Sequence, residues 1–190
     1  MNIGIINCGG ANLNSIYYSF KRININAFIS DSPSELEEMD AYILPGVGSA
    51  GMVMNKLKEK NLINLIKKTK KPTLGICIGM QILFDYSEED NTHCLGLIKG
   101  NVKKFQSNSN VKVPQMGWNK VISDTDSLNG YYYFANSYYT DNNDYAIGHS
   151  YYGKKFNSIV KRDNFLGCQF HPEKSSDIGE KFIKNFINTI

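Results

Sequence analysis

A chain of 190 residues is long enough to bury one sizeable core, and residues 1–190 are expected to form a single domain. With 42% hydrophobic and 21% charged residues and a formal charge of +3, the balance is that of an ordinary globular protein, which excludes nucleic acid as the expected partner. Cys8, Cys77, Cys94 and Cys168 form no C-x-x-C pair, and the first residues lack a basic stretch followed by a long apolar one. No disulfide framework, signal peptide or membrane span is therefore expected, and a reduced, cytoplasmic setting is the simplest expectation.

The first half alternates strand and helix patterns. Residues 2–7 read as an apolar strand, Asn12 as an N-cap, and 13–21 as a helix with Leu13, Ile16, Tyr17 and Phe20 at helical spacing. A second strand is predicted over 27–29. Ser32-Pro33-Ser34-Glu35 has the form of a capping box with proline at the first helical position. A third strand over 41–44 runs into the loop Pro45-Gly46-Val47-Gly48. Helical patterns then fill 50–70, broken near Lys60-Asn61, and a fourth strand over 71–76 precedes a helix over 80–84. Alternation of this kind implies parallel pairing with covered sheet faces.

The second half changes character. Short runs rich in Tyr, Val, Ile and Asn at 101–105, 120–122, 131–134, 145–151 and 158–161 predict antiparallel strands appended to the parallel core. Tyr131-Tyr132-Tyr133-Phe134 is expected to pack as a strand, because the basic residues that accompany base-stacking aromatics are missing. His93-Cys94, after the acidic run Glu88-Glu89-Asp90, is placed in a loop and lacks the partners a zinc site needs. A final helix is expected over 177–190, with Asp177 as cap and Glu180 three residues on.

Gly75-Ile76-Cys77-Ile78-Gly79 stands at the junction of the fourth strand and the helix after it. A sharp strand-to-helix turn puts its apex residue outside the sheet, flanking glycines relieve the crowding, and the helix start favours thiolate over thiol. A buried structural cysteine fits the same residues, since free cysteine is among the most buried types. A nucleophile needs a base held by a third group. His171 ends the apolar run 165–170, Pro172 biases it to extended backbone, and Glu173, two residues on, can approach its imidazole. His149 has no acid at such spacing. Beyond the third strand, Pro45-Gly46-Val47-Gly48 lies where open α/β sheets bind ligands, and its N–H groups could join that of Ile78 in holding an oxyanion.

Taken in order, Pro45-Gly46-Val47-Gly48, Gly75-Ile76-Cys77-Ile78-Gly79-Met80-Gln81 and Phe170-His171-Pro172-Glu173 resemble the class I, triad-type glutamine amidotransferases over nearly the whole chain. Val113-Pro114-Gln115-Met116-Gly117-Trp118-Asn119, Asn136-Ser137-Tyr138-Tyr139 and Lys174-Ser175-Ser176 are similar to the glutaminase subunits of imidazole glycerol phosphate synthases within that family. The resemblance implies a flavodoxin-like α/β fold: a mostly parallel central sheet flanked by helices, with an added antiparallel sheet. It implies Cys77, His171 and Glu173 as the catalytic triad acting on L-glutamine, without a cofactor or metal. Gly46, Val47, Gly48 and Ile78 would shape the oxyanion site, and Gln81, Ser137 and Tyr138 would hold the glutamine. The expected partner is a barrel-shaped synthase subunit in a heterodimer, which receives the ammonia. Asn12, Trp118 and Lys174 match positions at that contact.

Some positions depart from the family pattern. Asn7-Cys8-Gly9-Gly10-Ala11-Asn12-Leu13 replaces the usual Asp-Tyr-Gly continuing to Gly-Asn-Leu, Asn136 stands for the usual histidine before Ser-Tyr, and Ile78 for the common leucine. None touches the triad, so glutaminase chemistry is expected to persist. Paralogues that supply ammonia to a synthase amidating a surface sugar share the same chemistry. A binding module with silent enzyme-like residues is the alternative of another class, and the complete triad argues against it.

Overall fold

The computed structural model describes residues 1–9, 12–46, 48–109, 111–141 and 144–190. Its first half runs β1 (Asn2–Ile6), α1 (Leu13–Arg22), β2 (Asn26–Ser30), α2 (Pro33–Glu37), β3 (Ala41–Leu44), α3 (Ala50–Glu59), α4 (Leu62–Lys68), β4 (Thr73–Ile76) and α5 (Ile78–Gln81). The break between α3 and α4 falls at Asn61, whose backbone is left-handed at φ 58°. Then come β5 (Tyr86–Ser87), β6 (Thr92–His93), β7 (Asn101–Lys104), β8 (Gln115–Val121), β9 (Gly130–Asn136), β10 (Tyr138–Tyr139), β11 (Ala146–Tyr151), β12 (Lys155–Arg162), β13 (Phe165–Cys168) and α6 (Ser176–Ile187).

Seven strands make the main sheet in the order β11-β12-β13-β4-β3-β1-β2. From β2 to β13 the pairing is parallel, in the 2-1-3-4-5 order of flavodoxin-like sheets, and β12 and β11 add an antiparallel edge. All of β3 and β4 is buried, as strands covered on both faces must be. A ribbon of β8 and β9 and a four-stranded sheet in the order β10-β7-β5-β6 complete the strands. β7 pairs with β10 antiparallel but with β5 parallel, so the added region is not antiparallel throughout.

Alternation along β9 places the aromatic tract. Tyr132 and Phe134 point into the core, while Tyr131 is 60% exposed. Tyr132 stacks on Phe170 with centroids 4.0 Å apart, and Phe182 of α6 meets both rings edge-on. This aromatic cluster anchors the ribbon and α6 beside the segment that carries His171.

Several local signals resolve differently from the sequence expectation. Asn12 and Ser32 occupy N-cap positions, but neither side chain caps its helix. Glu35 instead accepts from the Ser30 hydroxyl at 2.5 Å, a closer donor than the cap N–H. The N-cap position of the last helix is Ser175 rather than Asp177, without a side-chain cap, and Glu180 pairs with Lys184 at 2.6 Å. His93 lies on the short strand β6, not in a loop, with its ring against Tyr86. Residues 82–84, expected to be helical, follow the four-residue α5 as turns.

Candidate active site

The carboxyl ends of β1, β3, β4 and β13 converge on one edge of the main sheet, and the candidate residues gather there. Cys77 forms the link from β4 to α5 with φ 55° and ψ −110°, a strained conformation for a residue with a side chain. Its N–H donates to the Cys168 carbonyl at 2.8 Å, which ties the apex to β13. The neighbouring glycine is sterically required: a Cβ on Gly79 would stand 1.7 Å from the Leu44 carbonyl oxygen. A Cβ on Gly46 would come within 2.3 Å of the Ile78 Cβ, so the loop after β3 presses directly on the elbow. Gly48 follows with φ +100°, and Val47 lies outside the described residues, as does Ala11.

His171 follows β13, and its N–H donates to the Tyr133 carbonyl of β9 at 2.8 Å. Its Nδ1 meets Glu173 Oε1 at 2.8 Å, and its charge couples to that of Cys77. Glu173 sits in the 3-10 turn Pro172–Lys174, which turns the chain so that its carboxylate comes back to the imidazole. The same Oε1 accepts the side-chain amide of Asn12. Burial opposes charge on His171, but the charge of Cys77 and the bond to Glu173 outweigh it and lift His171 from its ordinary 6.5 to about 10. Burial pushes Cys8 and Cys94 up to about 12 and Cys168 well above the usual thiol range, so these three are unreactive at neutral pH. His149, on β11, is held below its ordinary value by burial and by Lys155, and takes no part in the cluster.

The residues expected to hold glutamine meet at the Tyr138 carbonyl. Gln81, buried in α5, donates Nε2 to that carbonyl at 3.1 Å and to Gln169 Oε1 at 2.9 Å. Asn136 donates its amide to the same carbonyl at 2.9 Å, which gives the departure from histidine a structural use. Ser137 is tied to β7 through its carbonyl, which accepts the Phe105 N–H at 2.9 Å.

Asn12 and Lys174 lie beside Glu173, and Trp118 lies on the ribbon that carries Tyr133. Asn12 binds the Glu173 carboxylate, Lys174 is exposed next to it in the same turn, and Trp118 pairs in register with Tyr133, whose carbonyl holds the His171 N–H. Trp118 is 53% exposed, which excludes a core tryptophan.

Two residues here escape the sequence reading. Gln169 is fully buried and donates Nε2 to Cys77 Sγ at 3.7 Å. Two residues before His171 on an extended run, it shares that residue's face, and this period-2 spacing is a signal that could have found it. Glu89 accepts the Ala50 N–H at 2.8 Å, just beyond the loop after β3, and its charge is felt at Tyr138. Burial raises Glu89 above the usual carboxylate range, opposed by the Ala50 bond and reinforced by Asp90. Its acidic surroundings hide it in the sequence as surface charge.

Comparison with known proteins agrees with this geometry. The family model described as glutamine amidotransferase class-I matches residues 4–190. Imidazole glycerol phosphate synthase subunit HisH 2 of Campylobacter jejuni (strain RM1221) is 45% identical, with 100% of each chain covered. Imidazole glycerol phosphate synthase subunit HisH of Blochmanniella floridana is 44% identical over 98% of this chain and 99% of its own. A crystal structure of a glutamine amidotransferase superposes with a TM-score of 0.79 at 17% identity, over 98% of this chain and 97% of that one, a likeness of fold.

Proposed function

This chain belongs to the class I glutamine amidotransferase family, and from that premise we propose that it is the glutaminase subunit of an imidazole glycerol phosphate synthase, working in histidine biosynthesis with Cys77, His171 and Glu173 as its triad. The observation that carries the triad is Cys77 at the strained apex, coupled through charge to a His171 whose Nδ1 lies 2.8 Å from Glu173.

The Cys77 thiolate attacks the side-chain amide carbon of glutamine. Backbone N–H groups of the loop after β3, at Gly46 and Gly48, and that of Ile78 are the donors proposed for the oxyanion. The imidazolium of His171 gives its proton to the departing nitrogen, ammonia leaves, and a glutamyl thioester remains. His171 then takes a proton from water, hydroxide adds to the thioester carbon, and collapse releases glutamate and the thiolate. Glu173 keeps Nδ1 protonated and the ring aimed at the sulfur. Gln81, Ser137 and Tyr138 line the glutamine pocket, and Glu89 is the carboxylate placed to take the α-ammonium of the substrate.

The ammonia passes to a synthase subunit with a barrel fold, which docks on the face carrying Asn12, Trp118 and Lys174, and the pair works in the cytoplasm. The deciding experiment purifies the chain with that subunit and replaces Cys77 with Ala. Glutamate release should vanish while the synthase still works with an added ammonium salt. Persistent glutaminase activity would remove the triad assignment, and an inactive wild-type chain would point to a silent binding module. One observation favours a second destination: the Campylobacter jejuni relative is numbered as a second HisH. In that reading the ammonia goes to a sugar-amidating synthase, and the identity of the synthase that co-purifies from the native cell separates the two.

A further inference from the structure

The pocket side of the site carries a chain of amides with fixed polarity that ends on the sulfur. The Tyr138 carbonyl can only accept, and it takes amide protons from both Asn136 at 2.9 Å and Gln81 at 3.1 Å. Gln81 is thereby bound to present its NH2, whose second proton goes to Gln169 Oε1 at 2.9 Å. With its oxygen committed, Gln169 must turn its own NH2 the other way, and Nε2 lies 3.7 Å from Cys77 Sγ. A flip of Gln169 would set two NH2 groups against each other and bring an oxygen to the thiolate, losing both hydrogen bonds and adding repulsion. Gln169 is completely buried, so no water can substitute for either contact.

We propose that Gln169 is a positioning residue for the nucleophile: its amide, oriented through Gln81 by the Tyr138 carbonyl, donates to the Cys77 thiolate. An amide donor to an anionic sulfur is a charge-assisted bond, stronger than one to the neutral thiol, and it therefore favours the reactive form. It also restricts the sulfur to one rotamer beneath the substrate carbon. The relay links the pocket wall to the nucleophile, so displacement of Gln81 by bound substrate is felt at the sulfur. The other groups facing Cys77 are the His171 imidazole with Glu173 behind it, the Cys168 thiol on β13, and the Ala135 carbonyl of β9 at 3.9 Å from Sγ. Among these groups Gln169 is the donor whose amide lies at the sulfur.

The inference rests on Cys77 being the nucleophile. Its test uses the full chain with its synthase partner, and as probes Gln169→Met, which keeps the volume without the donor, and Gln169→Glu, which keeps the acceptor for Gln81 but brings an oxygen to the sulfur. Alkylation of Cys77 by iodoacetamide is followed against pH, with the modified peptide identified by mass spectrometry. Both variants should shift the alkylation profile to higher pH, Gln169→Glu further than Gln169→Met. On the rising limb of the profile, a shift of one pH unit reads as about tenfold slower alkylation at a given pH. Glutaminase kcat should fall more than KM rises. An unmoved alkylation profile in a folded Gln169→Met protein overturns the proposal, as does a change confined to KM. Should Gln169→Glu fail to fold, Gln169→Met decides alone, and should that also fail, Gln81→Met, which frees the Gln169 amide, must shift the profile in the same direction. The Cys77→Ala control separates the two levels: glutaminase activity surviving in it removes the triad reading itself, whatever Gln169 does.

Discussion

Glu173 holds two side chains through one oxygen: its Oε1 lies 2.8 Å from His171 Nδ1 and also accepts the amide of Asn12. The Glu173 carboxylate is thus positioned by an asparagine from the loop before α1, far away in sequence. Glu173→Gln should keep the shape but offer His171 a group that cannot stabilise imidazolium. Glutaminase kcat should fall about 10²–10⁴-fold, the range of a lost acid–base contribution. Glutamate release by the variant with its synthase measures this, and a loss under tenfold would remove Glu173 from the triad.

His171 also makes stability depend on pH in a defined direction. Its folded value of about 10 lies above its ordinary 6.5, so the folded state binds the proton more tightly. The resulting stabilisation is fully present below about pH 6.5 and is lost as pH rises through 10. Apart from the opposing effect of burial, the charge of Cys77 is the leading cause of that elevation. In Cys77→Ala the decline between these limits should shrink. Urea midpoints of both proteins across pH 6–10 provide the comparison, and parallel curves would contradict the thiolate–imidazolium pair.

Gly79→Ala tests the packing under the nucleophile. The new Cβ would stand 1.7 Å from the Leu44 carbonyl oxygen, and backbone on both sides leaves no flexible side chain to yield. Overpacking of this kind costs about 1–3 kcal/mol or more, and any relief moves β3 away from the elbow. A lower urea midpoint together with lost glutaminase activity is expected. Normal activity in a stable Gly79→Ala protein would show that the loop after β3 need not touch the elbow.

Tyr132 and Phe170 join the ribbon to the segment bearing His171 by a 4.0 Å stack. Phe170→Ala would remove a fully buried ring also packed on Phe134 and Phe182. The expected destabilisation is about 3–5 kcal/mol, as for other buried aromatic deletions. Thermal or urea unfolding reports it directly, and a cost under 1 kcal/mol would mean that the ribbon is anchored elsewhere.

Much of this site was legible where local pattern and function coincide. Cys77 between two glycines, and His171 and Glu173 around Pro172, are constrained within a few residues, so spacing alone brought them near their observed geometry. The alternation of β9 was equally local. Long-range choices were not: Asn12 looked like a cap and instead crosses the fold to Glu173, and Glu35 found Ser30 rather than its own helix start. Gln169 escaped notice because its partners, Gln81 and Cys77, come from another element. The two-residue strands β5, β6 and β10 are too short to leave a period, and only pairing defines them.

Trp118 is the remaining test, because its exposure argues against a role in the fold. It is 53% exposed on β8, touching Tyr133 edge-on at 6.3 Å between centroids, with Met116 and Tyr131 also open on the ribbon. Trp118→Ala should therefore change the stability of the isolated chain by no more than about 0.5 kcal/mol. If the synthase docks here, a large aromatic at the centre of the contact should be worth about 2 kcal/mol or more, roughly a thirtyfold weaker Kd. Because Tyr133 passes from Trp118 to the His171 N–H, glutaminase activity in the complex should fall in step with binding, whereas the basal activity of the isolated chain should not. Calorimetric titration of the synthase into wild type and variant measures the first effect, and an unchanged Kd would place the partner on another face.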